Sequence, residues 1–356
     1  MTSGRKGYLS VLILIVLWGI PGLLSAEMKM KTTVAEIALY QGADRQQILE
    51  EGAKKEGKII IYTDHILNQN IRPLVSAFQK KYPHIKVDIW RAGDNVLIPR
   101  IFEEHKAGRH VVSVLAMAQK YSLVLREREI LQPFYSPNMD YIEDGAITKA
   151  PGGGAFAVGH YESHISLGYN TNLITKDQVP KTYQELLDPK WKGKVAIAGS
   201  STGTSWMGSV LENHGEGLLT RLAQQNFDVH AVSGRAILDM IVSGEYVLSP
   251  TVFDSHMRFS KAKGAPAGWV PLEPVSTDIG QIMLPKNAQN PHAAMLLIDF
   301  DLTRQAGEIY KAGGYVSPRK DISSGETTYK KDYGPSSTEQ YVKWQRLFDK
   351  LFLKKK

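Results

Sequence analysis

The segment KIIIYTDHILNQNIRPLVSAFQKKYPHIKVDIW, residues 58–90, decides the fold class. Residues 58–63 form an apolar run, which predicts a strand buried on both faces. A helix predicted from about residue 70 to 82 follows, and Pro83 stops it. Residues 85–90 then alternate apolar and polar side chains, which predicts a second strand. A strand, a helix and a strand in this order indicate a parallel pair joined by a crossover helix.

The same alternation continues on the C-terminal side of this segment. A helix is predicted over residues 95–107 and a third strand over residues 111–117. The pattern therefore predicts an α/β fold with an open parallel sheet and helices on both faces. Ligands of such sheets bind beyond the carboxyl ends of the strands. The residues expected on that side are Thr63, Asp64, His65, Arg91 and Gly93.

A second α/β unit is predicted over about residues 158–275, beginning with a strand over residues 165–170. Residues 276–320 then add a strand over 280–284 and a helix over 292–304. The length of 356 residues favours two domains. Because no low-complexity linker separates the units, the chain is expected to cross between domains on strands, as in proteins with a hinged cleft.

The segment DPKWKGKVAIAGSSTGTS, residues 188–205, predicts an anion site in the second unit. Residues 195–198 form a short buried strand, and a loop rich in hydroxyl groups leads from it into a helix. Free backbone N–H groups and the positive end of a helix suit an anion. The alternative is an ordinary N-cap and turn, where Ser and Thr are common. The candidate ligand residues are Ser201, Thr202 and Thr204.

The N-terminus and the composition predict an exported protein. Residues 1–26 have the basic start, the apolar run and the small-residue end of a secretory signal. An uncleaved anchor is the alternative, but the apolar run is shorter than the roughly 20 residues that a span needs. The absence of cysteine excludes disulfides, thiolate metal sites and a lipid-modified Cys. The net charge of +7 comes without a basic stripe, so no nucleic acid partner is expected.

Several short segments occur at a characteristic order and spacing along the chain. They are IIYTDH (60–65), LLDPKWKGK (186–194), GE (244–245), KGAP (263–266) and PHAA (291–294). Together they resemble the periplasmic substrate-binding proteins of ABC importers, in the branch that includes ferric-ion, polyol-phosphate and phosphonate binders. The resemblance covers residues 57–322. It implies a two-lobed, Venus-flytrap (type II) fold with a hinge cleft, a small-molecule solute and an inner-membrane ABC permease as partner.

The resemblance and the element pattern together predict the domain boundaries. The C-terminal extension carries an amphipathic stripe, expected to pack on the outside of lobe one; a partner-binding helix is the alternative. The predicted parts are a signal peptide (1–26), a lead-in and helix (27–56), lobe one (57–157 and 276–322), lobe two (158–275) and the extension (323–356).

The resemblance also limits the choice of ligand. His65 occupies the place of an iron-ligating histidine in the ferric branch, but Ala118 stands at the glutamate place and Phe253-Asp254 at the tyrosine pair. Ferric iron prefers hard anionic oxygen donors, so most of that site is missing. A different metal site built from His65, Asp254 and His256 is the alternative. The expected lining of an organic-solute pocket is Thr63, His65, Thr251, Phe253 and Asp254.

Two further motifs carry candidate chemistry. Ser233 and Arg235 begin a predicted helix after a strand, where a guanidinium can grip a carboxylate or phosphate; a capping serine and a surface arginine are the alternative. HYESH, residues 160–164, has metal-ligand residue types at strand spacing. A hinge strand with solvated polar side chains is the preferred interpretation of that motif.

The sequence therefore predicts a periplasmic receptor that is a monomer, needs no cofactor and has no catalytic residues. It is expected to capture a small anionic or zwitterionic organic solute and deliver it to an ABC permease. A ferric-ion or other metal-binding protein of an ABC importer is the first alternative. An enzyme on the same fold is the second, and a sensor role is compatible with the receptor.

Overall fold

One mixed sheet joins the two halves of the protein in the computed structural model, which describes residues 1–2, 33–323 and 327–353. Its main strand order is β10-β6-β11-β3-β1-β2. The strands are β1 Lys58–Thr63, β2 Lys86–Arg91, β3 Val114–Ala118, β4 Leu131–Gln132, β5 Ile147–Lys149, β6 Ala155–Asn170, β7 Ala196–Ala198, β8 Asp228–His230, β9 Leu248–Phe253, β10 Ala267–Val270, β11 Val275–Pro285 and β12 Lys331–Asp332.

Helices cover both faces of this sheet. Short turns of π-helix at Leu67–Ile71 and of 3₁₀-helix at Met139–Tyr141, Asp144–Ala146, Glu185–Leu187 and Pro189–Trp191 connect the elements. The α-helices are α1 Val34–Ala38, α2 Arg45–Glu56, α3 Arg72–Lys81, α4 Asp94–Lys106, α5 Gln119–Glu127, α6 Ser201–Ala223, α7 Gly234–Ser243, α8 Asp254–Ala262, α9 Pro291–Asp301, α10 Arg304–Ala312, α11 Lys320–Ser323 and α12 Thr338–Leu351.

The strands predicted within residues 58–117 form the parallel part of the sheet. β1 pairs in parallel with β2 on one side and with β3 on the other. The helix predicted at residues 70–82 is α3, which buries Leu74, Val75 and Phe78. The predicted α/β class and the parallel order of these strands are therefore confirmed. We call the part of the chain packed around β1–β3 the first lobe.

Two long strands connect this lobe to the rest of the protein. β6 and β11 run antiparallel, from Ala157 opposite Met283 to Ile165 opposite Ser276. β11 also pairs with β3 in the first lobe, while β6 pairs with β9 and β10. We call the part packed around β7–β10 the second lobe. The sequence predicted only the ends of the two crossing strands, at residues 165–170 and 280–284.

Each lobe has its own apolar core. The first lobe buries Phe78, Ile282 and Phe300 beneath its helices, and the second buries Trp206 and Leu222. Two cores linked by two strands give the two-lobed fold that the resemblance implied. The predicted signal peptide lies outside the described residues except for its first two. None of the helices in the described part is long and apolar enough to cross a membrane.

The C-terminal helix packs on the second lobe, so its predicted position on the first lobe is wrong. The α12 residues Trp344 and Phe348 belong to the second-lobe core. The reason lies in α6, where a Cβ at Gly203 or Gly208 would overlap the rings of Phe348 and Trp344 respectively. These glycines let the two aromatic side chains approach the α6 backbone. Trp344 Nε1 also donates to Glu212 Oε1 at 2.9 Å.

Removing the Trp344 ring should destabilise the second lobe. Trp344→Ala leaves a cavity against α6, and truncation of a buried tryptophan costs about 3–5 kcal/mol. Urea denaturation followed by circular dichroism measures the change in the free energy of unfolding. Lys343→Ala, on the exposed face of the same helix, is the matched control and should change it by less than about 0.5 kcal/mol. Equal stability of Trp344→Ala and wild type would contradict this packing.

Candidate functional site

A cavity of about 170 Å³ lies where the crossing strands meet both lobes. The first lobe contributes the turn after β1 and the end of β3. The second lobe contributes the end of β9 and the first turn of α8. The residues from these elements that line it are Asp64, His65, Ile66 and Ala118 on one side and Phe253, Ser255 and His256 on the other. Its remaining lining residues are Tyr161, Ser163, Asp278 and Tyr315.

The turn after β1 positions His65 at the cavity wall. Thr63 Oγ1 accepts a hydrogen bond from the His65 backbone N–H at 3.0 Å, which folds the chain back at the strand end. His65 Nδ1 then lies 3.0 Å from Asp64 Oδ1 and 3.0 Å from the Tyr161 hydroxyl. Burial alone would raise the pKa of Asp64, but neighbouring His65 and Lys120 lower it below its ordinary value. Asp64 is therefore a carboxylate at neutral pH.

A buried polar chain continues from His65 into the first lobe. His65 Nε2 lies 3.2 Å from His160 Nε2, and His160 Nδ1 lies 2.5 Å from Asp301 Oδ2. The Tyr310 hydroxyl donates to the other Asp301 oxygen at 2.5 Å. Burial lowers the pKa of His160 although Asp301 opposes it, so His160 is neutral, donates to Asp301 and accepts from His65. Both ring nitrogens of His65 are thus engaged inside the protein.

Two helices begin at the cavity without a capping side chain. Ala118 is the N-cap residue of α5 and Phe253 that of α8, and neither supplies a side-chain hydrogen bond. Both residues line the cavity. The first backbone N–H groups of a helix lack partners within the helix, and the helix dipole makes that end positive. The α5 start, whose first turn carries no acidic residue, favours a negatively charged group more than the α8 start, where Asp254 stands in the first turn.

The second-lobe wall is aromatic and carries a neutral histidine. The rings of Phe253 and His256 meet edge to face at 5.0 Å between centroids. Burial, with a further contribution from nearby Arg235, lowers the pKa of His256 to about 4. Its Nδ1 atom is buried and has no hydrogen-bond partner in the described part of the chain. A solute can therefore receive or donate a hydrogen bond there.

Of the predicted pocket residues, the structure brings His65 and Phe253 to this cavity. Thr63 supports the turn, and Thr251 Oγ1 accepts from the Ala198 backbone N–H at 3.0 Å inside the second lobe. Asp254 is buried, where it accepts from the His164 backbone N–H at 2.7 Å and pairs with Arg258 at 3.3 Å. The side chains of Thr63, Thr251 and Asp254 therefore make their hydrogen bonds within the protein.

The residues predicted as an anion cradle lie outside this cavity. Ser201, Thr202 and Thr204 occupy the first turn of α6, and Thr202 and Thr204 are buried. Ser233 caps α7 through a 3.4 Å bond to the Ala236 N–H. Arg235 pairs with Asp239 at 2.8 Å and donates to Ser260 Oγ at 3.0 Å. Contact of these residues with a solute stays a prediction.

Sequence reasoning missed Asp278, Ser255 and Tyr315 as lining residues. The sequence could have indicated Asp278, because it is the one charged residue within the apolar strand β11. Ser255 and Tyr315 had none, since a serine in a helix and a tyrosine after a glycine pair are unremarkable. Their proximity depends on how α8 and the chain after α10 meet the crossing strands.

The HYESH motif lies on the crossing strand β6, as predicted, but its side chains are not solvated. Glu162 and His164 are fully buried and lie 3.1 Å apart. The C-terminal segment covers them: Lys331 Nζ lies 3.0 Å from Glu162 Oε2, and the Tyr329 hydroxyl lies 2.7 Å from His164 Nδ1. Within residues 1–2, 33–323 and 327–353 there is no group of three or more His, Cys, Asp or Glu side chains arranged to hold a metal ion.

The family model described as "Bacterial extracellular solute-binding protein" matches residues 115–347. The chain belongs to this family. Solved structures confirm the fold. The structure of the Trichodesmium protein IdiA (FutA), in complex with iron and citrate ligands, is similar to this chain with a TM-score of 0.69 and 19% sequence identity. The similarity covers 83% of this chain and 99% of that one. AfuA of Actinobacillus pleuropneumoniae, with fructose-6-phosphate bound, is 20% identical with a TM-score of 0.68, and the similarity covers 84% of this chain and 99% of that one.

Two further proteins are similar to this chain. Iron-bound HitA of Pseudomonas aeruginosa is 18% identical with a TM-score of 0.65, covering 81% of this chain and 98% of that one. An uncharacterized protein of Haemophilus influenzae is 23% identical over 267 residues, which are 72% of this chain and 76% of that protein. The predicted two-lobed fold and the predicted membership in an extracellular solute-binding family are thus confirmed.

Acid should destabilise the protein partly through His256. Its folded-state pKa of about 4 lies below the ordinary 6.5, so the unfolded chain binds the proton first and stability falls as the pH drops from 6.5 toward 4. At pH 4.5 this contribution is roughly 2 kcal/mol. Urea unfolding at pH 7 and pH 4.5 should show a smaller acid loss for His256→Asn than for wild type. The surface variant His84→Asn is the control; equal losses in all three proteins would refute the assignment.

Proposed function

We propose that this chain is the periplasmic receptor of an ABC importer and binds a small organic anion or zwitterion in the cavity between its lobes. The observation that carries the proposal is the pair of uncapped helix starts, at Ala118 and Phe253, on one cavity. They lie on opposite lobes. An anion bound between them would be held by N–H groups of both lobes, so binding would favour the closed form that a permease recognises.

The hydroxyl groups of the cavity support capture rather than turnover. Ser163 Oγ and Ser255 Oγ bond each other at 2.5 Å, and Ser163 Oγ also lies 3.4 Å from Asp254 Oδ1. No histidine in the described part lies within hydrogen-bonding distance of either hydroxyl, so neither has the imidazole base of a serine–histidine pair. The solute is therefore expected to leave unchanged.

Ferric iron is the second candidate, because solved structures of this fold hold iron and two tyrosines, Tyr161 and Tyr315, line the cavity. A tyrosine binds ferric iron as its phenolate. Burial raises the pKa of Tyr315 to about 12 and that of Tyr161 well above its ordinary range. His65 has no free ring nitrogen, since Asp64, Tyr161 and His160 engage both. These contacts favour the organic solute.

A thermal-shift screen of the mature protein tests the proposal. The panel contains sugar phosphates, phosphonates, carboxylates, amino acids, neutral sugars and ferric citrate. A ligand at 100 times its Kd stabilises the folded state by about 2.7 kcal/mol, which should raise the Tm by several degrees. An increase with organic anions or zwitterions is expected. An increase with neutral sugars alone would contradict the proposal, and a ferric charge-transfer band would favour the second candidate.

A charge placed at the start of α5 should oppose anion binding. In Ala118→Glu, a carboxylate would stand about 5 Å from a bound anion, and at an effective dielectric constant of 20 the two charges repel by roughly 3 kcal/mol. Ala118→Gln has nearly the same size and no charge. Isothermal titration with the best ligand of the screen should show at least tenfold weaker binding to Ala118→Glu than to Ala118→Gln. Equal affinities would place the anion elsewhere.

A further inference from the structure

The wall of the cavity contains the carboxylate of Asp278. Asp278 lies on the crossing strand β11 and lines the cavity. Within the described part of the chain, its carboxylate makes no hydrogen bond and no ion pair. The other acidic side chain that lines the cavity, Asp64, lies 3.0 Å from His65 Nδ1.

Asp278 is half-buried, so part of this residue remains exposed. Burial raises the pKa of Asp278, and neighbouring Asp64 raises it further, while Lys120 and His65 lower it. The charge of Lys120 lowers the pKa of Asp278 only from a distance, because no ion pair joins the two side chains in the described residues. A solute that fills the cavity would remove the remaining water from this carboxylate, and a charged group that loses its water needs a compensating partner. For a carboxylate, that partner is a cation.

The surroundings of Asp278 suit an organic cation rather than a metal ion. The rings of Tyr161 and Tyr315, with centroids 4.3 Å apart, and the ring of Phe253 line the same cavity. Aromatic faces attract ammonium groups, and a carboxylate binds them through charge-assisted hydrogen bonds. No lysine or arginine is among the described lining residues. A cationic group of the solute therefore meets no like-charged side chain in the cavity wall.

We propose that Asp278 binds a protonated amine of the solute, so that the receptor selects a zwitterion with its acidic group at the starts of α5 and α8. This inference rests on the proposed function and narrows its ligand class. It assigns the anionic group to backbone N–H donors and the cationic group to one side chain on a crossing strand. Solutes that lack the amine would leave the Asp278 carboxylate buried and unpaired, which lowers their affinity.

Matched pairs of small acids test the amine requirement by isothermal titration on the full mature protein. The pairs are 2-aminoethylphosphonate with ethylphosphonate, β-alanine with propionate, and glucosamine 6-phosphate with glucose 6-phosphate. We expect at least one amine-bearing member to bind 30-fold or more tightly than its partner. Equal or tighter binding of the amine-free members overturns this inference and leaves the proposed function standing. Failure of all six to bind overturns both.

The variant Asp278→Asn isolates the charge, because asparagine keeps the size of the side chain. Its affinity for the amine-bearing acid should fall at least 30-fold, while affinity for the amine-free partner stays the same or rises. The Tm of the ligand-free variant should stay the same or rise, since an unpaired charge on a half-buried residue is removed. Asp177→Asn, on the surface, makes the same change in net charge and should alter neither quantity. Unchanged amine affinity in Asp278→Asn, with the fold intact, refutes the assignment.

Discussion

The antiparallel pairing of β6 with β11 is the constraint on which the rest of the structure depends. Both lobes are hydrogen-bonded to these two strands, so their relative position is set by the pair. The cavity wall between the lobes therefore includes strand residues: Tyr161 and Ser163 from β6 and Asp278 from β11. Side chains on paired strands are held more rigidly than those on loops. Bending of the same strands would bring the start of α8 toward the first lobe.

The C-terminal segment is part of this arrangement and not an appendage. β12 pairs with β11, and Lys331 lies between Glu143 of the first lobe and Glu162 of the crossing strand. Burial alone would lower the pKa of Lys331, but the two carboxylates raise it above its ordinary value, so the lysine is charged. Removing one member of a buried charge cluster leaves the others uncompensated. The segment thus links the first lobe, the crossing strands and, through α12, the second lobe.

The sequence predicted the α/β class, the parallel order of residues 58–117 and the family, because apolar periodicity and local motifs encode them. It misplaced α12, since an amphipathic stripe shows that a helix is half-buried but not what buries it. The deciding feature, two glycines of α6 facing Trp344 and Phe348, is a contact between residues far apart in the chain. The residues of the site were predictable only where local sequence, and not a distant contact, places them. His65 and Phe253 follow or end strands and were predictable, whereas Ser255 and Tyr315 reach the cavity only through tertiary packing.

His65 shows why a matching position does not carry a matching role. Its backbone lies at a strand end, where ligands of this fold class bind, but its side chain is only 2% exposed. The chain through His160 to Asp301 uses its Nε2 atom, Asp64 and Tyr161 lie at its Nδ1 atom, and these contacts fix the ring against the cavity wall. Such a residue shapes the wall and contributes to the local field without offering a lone pair. Under the proposed function, the choice of ligand falls to cavity groups that have no partner in the described part of the chain, among them the Asp278 carboxylate and His256 Nδ1.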